Sequence, residues 1–212
     1  MSSLDTIYDA VLNGNAKAAT AGVEAALQAG ETPQMILNEA CIPAMAEVGA
    51  LFEEGEKFVP EMLISARAMS AAMLILRPLL IQAGVKNVGK VVLGTVHGDL
   101  HDIGKNLVGM MLEGAGFEVI DVGTDVPPQK FVDAVKEHRP DIVGMSALLT
   151  TTTKSIPTTI QALETAGLRS DVKVMIGGAP ITQDFATRIG ADGFAPDAGG
   201  AARAARALIG LE

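Results

Sequence analysis

One seven-residue stretch, Gly98-Asp99-Leu100-His101-Asp102-Ile103-Gly104, holds residue types that coordination chemistry uses. A histidine ring can bind a metal through one nitrogen while its other nitrogen donates to a carboxylate. That second bond selects the tautomer and makes the ring a stronger ligand. Asp99 stands two residues before His101, close enough for this partnership, and Gly104 lacks the side chain that would collide with a bulky ligand. Taken alone, an Asp-x-His pair equally describes a structural loop histidine. Two later segments are chemically suggestive in the same way: Ser146-Ala147-Leu148 with Thr150 and Thr152, and Gly177-Gly178-Ala179-Pro180. His97 is expected at the end of a strand in a structural role, and His138 at a solvated helix end beside Arg139-Pro140.

The elements that position these residues follow from apolar periodicity. From Gly84 onward, β-rich runs alternate with helical ones. Strands are predicted at Val91–Val96, Glu118–Val122, Ile142–Ser146, Val172–Ile176 and Gly193–Ala195. Helices are predicted at Ile103–Ala115, Pro128–His138, Lys154–Ala166, Thr182–Ile189 and Gly200–Ile209. Such alternation implies a doubly wound, Rossmann-like or flavodoxin-like parallel five-stranded sheet covered on both faces. Ligands bind such sheets beyond the carboxyl ends of the strands, where all three segments fall. Before Gly84 the pattern is helical throughout. Leu4, Ile7 and Val11 share a face. Thr32-Pro33 starts a helix whose apolar side is expected to include Met35, Ile36, Ile42, Met45, Ala46 and Val48. A longer helix is predicted from Pro60 to Ala83. The expected architecture is a four-helix bundle at 1–85 followed by an α/β domain at 88–212. The two are joined through Gly84-Val85-Lys86-Asn87.

Composition narrows the function. Of 212 residues about half are apolar, with no Trp and one Tyr, so the core must rest on aliphatic side chains and Met. A formal charge of −9 argues against a nucleic-acid backbone or an anionic membrane as partner. The one cysteine, Cys41, falls in an apolar helical pattern and is expected to be a buried structural thiol. No secretory leader is apparent. No run of membrane-spanning length is expected either, the stretch from Met69 to Ile81 being interrupted by Arg77 and Pro78. A cytoplasmic location is the resulting expectation.

The order Asp99-x-His101-x-x-Gly104, then Ser146-x-Leu148, then Gly177-Gly178 resembles the cobalamin-binding domain of methionine synthase and its relatives over roughly residues 88 to 212. The run Phe52-Glu53-Glu54-Gly55-Glu56-Lys57-Phe58-Val59-Pro60-Glu61 resembles that family's helical cap. As a whole the chain is similar to the free-standing corrinoid proteins of methyltransferase systems. The resemblance implies that His101 is the lower axial ligand of cobalt, displacing the cofactor's own dimethylbenzimidazole base, with Asp99 as its hydrogen-bond partner. The family completes this relay with a serine hydroxyl six residues after the Ser of Ser-x-Leu; here that position is Thr152, and the extra methyl group bears on its reach. Ser146, Leu148 and Thr150 are implied contacts to the nucleotide tail. Gly177 and Gly178 would leave room for the tail, with Ala179 and Pro180 at its edge. Gly98, Asp102, Ile103 and Gly104 would border the corrin rim, as would Val126, Pro127, Asp197 and Ala198. In the cap, Phe58, Met62 and Met69 would either lie over the cobalt or form bundle core; spacing does not decide between these.

The implied function is that of a methyl carrier. A methyl group would be taken onto cobalt from a substrate-specific methyltransferase of the methylamine, methanol, methoxyarene or betaine type. It would then pass to a second methyltransferase whose acceptor is tetrahydrofolate or a thiol, with a reductive activator protein as a further partner. Alone, such a carrier turns nothing over. The resemblance also implies a cap that moves off the cofactor about a hinge near Val85–Val88. Two alternatives share the binding domain: the cobalamin-binding subunit of a mutase, which lacks its catalytic barrel here, and a cobalamin-dependent sensor, which has no DNA-binding segment here. A receiver would want a carboxylate where Ser146 stands, and a flavin-phosphate loop would not carry Asp99, His101 and Asp102.

Overall fold

A computed structural model describes residues 2–84 and 87–211 of the chain. Val85 and Lys86, at the centre of the expected linker and hinge, lie outside the described residues. The chain divides into two compact units. One is Met1–Val88 with Gly114–Gly116, and the other is Gly89–Glu113 with Phe117–Glu212.

The first unit is helical: α1 (Ser3–Leu12), α2 (Ala16–Gln28), α3 (Pro33–Ile36), a π-helical turn (Leu37–Cys41), α4 (Ile42–Glu53) and α5 (Val59–Gln82). Local chemistry sets the starts. Ser2 Oγ accepts the Asp5 N–H while the Asp5 carboxylate accepts the Ser2 N–H, a reciprocal cap on α1. Asn15 and Thr32 cap α2 and α3, and Pro33 occupies the first turn, where it has no hydrogen bond to lose. α3, the π turn and α4 run on as one stretch. The π turn inserts an extra residue, which rotates the later part of the apolar face. The buried set is Ile36, Ala40, Cys41, Ala44, Met45 and Val48; Ala46, after the turn, and Met35, before it, were both expected inside and are exposed. Burial pushes the Cys41 thiol up to about 12, so it stays an inert core group. α5 continues past Pro78 and buries Met62, Ser65, Ala66, Ala68, Met69, Ala72, Leu76 and Leu80. Contrary to the sequence expectation, two helical stretches have the length and apolarity to cross a membrane: Pro33–Glu53 with 21 residues and α5 with 24. The reason lies in their packing, since both devote much of one side to buried residues of the kind a helical core needs.

The second unit is built on a five-stranded parallel sheet, β1 (Lys90–Val96), β2 (Glu118–Val126), β3 (Ile142–Ser146), β4 (Lys173–Gly177) and β5 (Gly193–Ala195), in the order β2-β1-β3-β4-β5. Helices α6 (Ile103–Gly114), α7 (Pro128–His138), α8 (Ser155–Thr165), α9 (Gln183–Arg188) and α10 (Ala198–Leu208) connect and follow the strands. Apolar strand residues fill the core: Val92, Val143, Val174 and Ile176 pack with Phe131, Ile156 and Leu163. Full burial of the Phe131 ring is worth about 2–3 kcal/mol relative to exposure.

Two features of this sheet place the site. β1 has β2 on one side and β3 on the other, so the chain order reverses at β1, and sheets of this kind place their ligand crevice there, at the loops after β1 and β3. β2 is also longer than the predicted Glu118–Val122. It continues to Val126 through two bulges, the register passing from Leu93 opposite Asp121 to Gly94 opposite Gly123 and then to Val96 opposite Val126. Gly123 (φ 95°) and Asp125 (φ 50°) take up the left-handed backbone these bulges need. The sequence reads as a loop there because Gly123-Thr124-Asp125 carries turn-forming residues.

Candidate functional site

β1 ends at Val96 and the chain turns through Gly98 (φ 85°), where the Asp99 N–H donates to the Val96 carbonyl at 3.1 Å. This turn sends the Asp99 side chain back into the crevice, where it is fully buried. A carboxylate without water must be satisfied by the protein. Oδ1 accepts from the His101 N–H at 3.1 Å and lies 2.7 Å from His101 Nδ1. Oδ2 accepts from the Thr152 hydroxyl at 2.7 Å, from the Leu148 N–H at 2.8 Å and from the Leu149 N–H at 3.3 Å. Burial by itself would make the Asp99 carboxyl a weaker acid, raising its pKa. The bonds from Thr152, Leu148 and His101 outweigh it and hold the carboxyl well below the usual carboxylate range. Asp99 is therefore a fixed negative charge.

That charge orients His101. An ionised carboxylate only accepts, so Nδ1 is the donor of this pair and Nε2 is the nitrogen directed away from it. The His101 side chain is 51% exposed, and Nε2 has no hydrogen bond among the described residues. From below, the Thr95 hydroxyl donates to the His101 carbonyl at 2.8 Å. The ring is thus held at its backbone and at Nδ1, with Nε2 left available as a ligand atom.

The surroundings suit a large, flat, mostly apolar ligand. Leu100 and Ile103, on either side of His101 in the chain, are each 74% exposed, and Leu148 and Leu149 at the neighbouring strand end are each 42% exposed. A side chain at Gly104 would meet nothing within 4 Å, so the chain's own packing does not require glycine there, and the space is open. One exposed imidazole nitrogen, a buried carboxylate behind the ring and uncovered aliphatic groups beside it fit a ligand to a metal held in an organic ring.

The other expected residues have definite places. Ser146 and Gly177 end β3 and β4 as register partners. Thr150 is exposed and its carbonyl accepts from the Thr153 hydroxyl, whereas Thr152 is buried against Asp99. At Gly178 (φ 124°) a side-chain carbon would fall 1.9 Å from the Ala147 carbonyl oxygen, and at Gly177 3.1 Å from that of Ala195. Close strand-end packing therefore already demands both glycines. Ala179 is exposed and Pro180 half-buried. Asp102 is exposed and accepts from Asn106 Nδ2 at 3.3 Å. Three expected rim contacts have other duties. Val126 is in the sheet core, Ala198 is buried, and the Asp197 carboxylate caps α10 through the Gly200 N–H at 2.7 Å. Pro127 precedes α7 as its N-cap. Phe58, Met62 and Met69 belong to the helical unit; Phe58 is 64% exposed, and the two methionines are buried.

Several contributors escaped the sequence reading. Thr95 is the one polar residue in Val91–Val96, which was a usable signal. The Leu149 N–H carries no side-chain signature. Lys105 is almost fully buried, with Nζ bonded to Asp121 and, at 2.8 Å, to Asn106 Oδ1, while Asp121 Oδ1 also accepts the Gly123 N–H. Asp125 accepts from the Gly98 N–H at 2.7 Å and pairs with His97 Nδ1 at 2.8 Å.

The chain is similar to known proteins over nearly its whole length. Residues 89–206 match the family described as the B12 binding domain, and residues 3–77 match a second family of that description. The dimethylamine corrinoid protein 1 of Methanosarcina acetivorans is 44% identical over 208 residues, covering 97% of each chain. A crystal structure of a cobalamin-binding protein from Desulfitobacterium hafniense superposes with a TM-score of 0.84 at 35% identity, over 99% of this chain and all of that one. In the methanol:cobalamin methyltransferase complex of Methanosarcina barkeri, one chain superposes with a TM-score of 0.85 at 30% identity, over 99% of this chain and 80% of that chain.

Proposed function

Because the chain belongs to the B12-binding family of corrinoid proteins, we propose that it is the methyl carrier of a methylamine- or methanol-type methyltransferase system and holds its corrinoid through His101 Nε2, with the cofactor's own base displaced. The observation that carries this reading is the buried Asp99 carboxylate fixing the proton on His101 Nδ1 and leaving Nε2 exposed beside uncovered Leu100 and Ile103.

When bound, the corrinoid supplies a cobalt centre able to take up and release a methyl group. The protein's part is positional and electrostatic. Asp99 makes the imidazole a stronger donor by drawing on the Nδ1 proton. Thr152, Leu148 and Leu149 keep that carboxylate ionised and aimed. Ser146, Thr150, Gly177 and Gly178 lie at the strand ends beside Asp99 and His101 and are the residues to which we assign the displaced nucleotide tail.

The partners are a substrate-specific methyltransferase and an acceptor methyltransferase using tetrahydrofolate or a thiol, with a reductive protein to rescue oxidised cobalt. The methylamine class is favoured as donor because the relative at 44% identity is named for dimethylamine. The chain works in the cytoplasm. The ligand assignment is tested on full chain grown with [15N]histidine and loaded with hydroxocobalamin, by electron paramagnetic resonance of the cobalt(II) form. The labelled chain should show the 15N splitting pattern, and His101→Ala should lose that pattern, leaving either none or the 14N pattern of the cofactor's own base. A 14N pattern in the labelled wild type, or a 15N pattern that survives the substitution, refutes it.

A further inference from the structure

Asp125 is neither a ligand residue nor a core residue, yet it occupies a backbone conformation that costs a non-glycine residue about 1 kcal/mol. It sits at the second bulge of β2, and three interactions tie it to one short segment. Its carboxylate accepts from the Gly98 N–H at 2.7 Å and lies 2.8 Å from His97 Nδ1. Its own N–H donates to the Asp99 carbonyl at 2.9 Å. The same carboxylate is held below the usual carboxylate range, chiefly by the Gly98 N–H and secondarily, against a desolvation cost, by His97. Residues 97 to 99 are further fastened by Ser155, whose hydroxyl donates to the His97 carbonyl at 2.9 Å.

We propose that Asp125 is a positioning residue: carried at the β2 bulge, it clamps the backbone on both sides of Asp99 and so aims the Asp99 carboxylate at His101. Asp99 meets five donors at 2.7–3.3 Å from three directions, an arrangement that tolerates displacement of only a few tenths of an ångström. The Gly98 peptide is the hinge of that side chain. Gly98 has the conformational freedom of glycine, so something other than its own sterics must hold it. Asp125 supplies that restraint from outside the motif. An aspartate can meet both demands, since Asp and Asn tolerate the left-handed region and Asp adds a charged acceptor.

The inference rests on His101 being the axial ligand, and its test separates the two. In cofactor-free full chain labelled with [15N]histidine, the His101 Nδ1–H proton is followed by NMR. In chain loaded with hydroxocobalamin, the ratio of histidine-ligated to unligated cobalt(II) is read by electron paramagnetic resonance. Asp125→Gly keeps the backbone conformation and the N–H to Asp99 but deletes the carboxylate. It should broaden or shift the Nδ1–H signal and lower the ligated ratio about tenfold, the worth of one charge-assisted hydrogen bond. Asp125→Asn, which keeps an acceptor and the left-handed tolerance, should restore most of both. If Asp125→Gly leaves both readouts at wild-type values, or Asp125→Asn loses as much as Asp125→Gly, the proposal is overturned. Should the glycine variant be insoluble, His97→Leu removes one donor from the clamp and should move the same signals less far; unchanged signals overturn the proposal too. If His101→Ala leaves the cobalt spectrum unaltered, the ligand assignment fails, while the cofactor-free NMR still judges Asp125.

Discussion

Replacing Thr152 by Val removes one hydroxyl proton from a fully buried carboxylate and little else. The Thr152 oxygen lies 2.7 Å from Asp99 Oδ2 and 2.8 Å from the Leu149 carbonyl. One proton cannot serve both, and the charged acceptor takes it. The Leu149 carbonyl loses nothing by this, since it already accepts the Thr152 N–H at 3.0 Å. Oδ2 keeps the Leu148 amide at 2.8 Å and the weaker Leu149 amide at 3.3 Å, so it is impoverished but not stripped. A hydrogen bond to a charged group contributes about 1.5–3 kcal/mol. With two amides remaining, a loss of about 2 kcal/mol is expected at neutral pH. Thr152→Ser keeps the hydroxyl and sheds only a methyl group, for about 1 kcal/mol or less. Urea unfolding of cofactor-free full chain measures both, by the shift in midpoint of the sheet unit at unchanged slope. The acid limb adds a second check. The folded Asp99 is more acidic than its ordinary 3.8, so its stabilising contribution is complete above that value and is lost as pH falls through the folded one. The gap between wild type and Thr152→Val should therefore hold steady from neutrality to about pH 4 and narrow below it. If Thr152→Val unfolds within 0.5 kcal/mol of wild type, on the order of an ordinary surface change, or Thr152→Ser costs as much as Thr152→Val, the relay described for Asp99 is wrong.

Two further outcomes follow from the same geometry. Lys105 is buried and its partner Asp121 is about half exposed, so the pair is asymmetric. Asp121→Ala, which strands a buried cation with only Asn106, should cost about 3 kcal/mol in urea unfolding; Lys105→Met, which leaves Asp121 to water and to the Gly123 N–H, should cost under about 1 kcal/mol. Equal losses would contradict this account. Gly178→Ala should cost at least about 3 kcal/mol, since the added carbon would overlap the Ala147 carbonyl at a strained backbone angle, and more than Gly177→Ala. Soluble expression and thermal midpoint decide the order, and a reversal would disprove it.

The strand and helix rhythm of residues 90–209 was readable because each element has one dominant period and ends in turn residues. Pro128–His138 and Ile142–Ser146 have the predicted bounds. His101 and Asp99 were legible as a possible pair from their spacing, and Thr152 joined them only through the family resemblance; the fold brings the loops after β1 and β3 together where strand order reverses. What the sequence concealed depends on register. Nothing in Glu118–Val126 announces two bulges, because an extra residue in a strand looks like an ordinary residue until its partner strand is known, and Asp125 was hidden for that reason. The π turn concealed itself likewise, by shifting Ala46 off the face that helical counting assigned it. Val126, Asp197 and Ala198 sit at strand ends as expected, but core packing and helix capping claim their side chains.

The segment after β3 has no regular structure, and its leucines face outward. Its amide protons should nonetheless exchange with solvent slowly, because those of Leu148 and Leu149 are spent on a carboxylate rooted in another strand. The rigidity of this surface loop is thus on loan from Asp99. Any event that draws Asp99 toward or away from His101 should be audible in the exchange rate of two leucine amides fifty residues further along the chain.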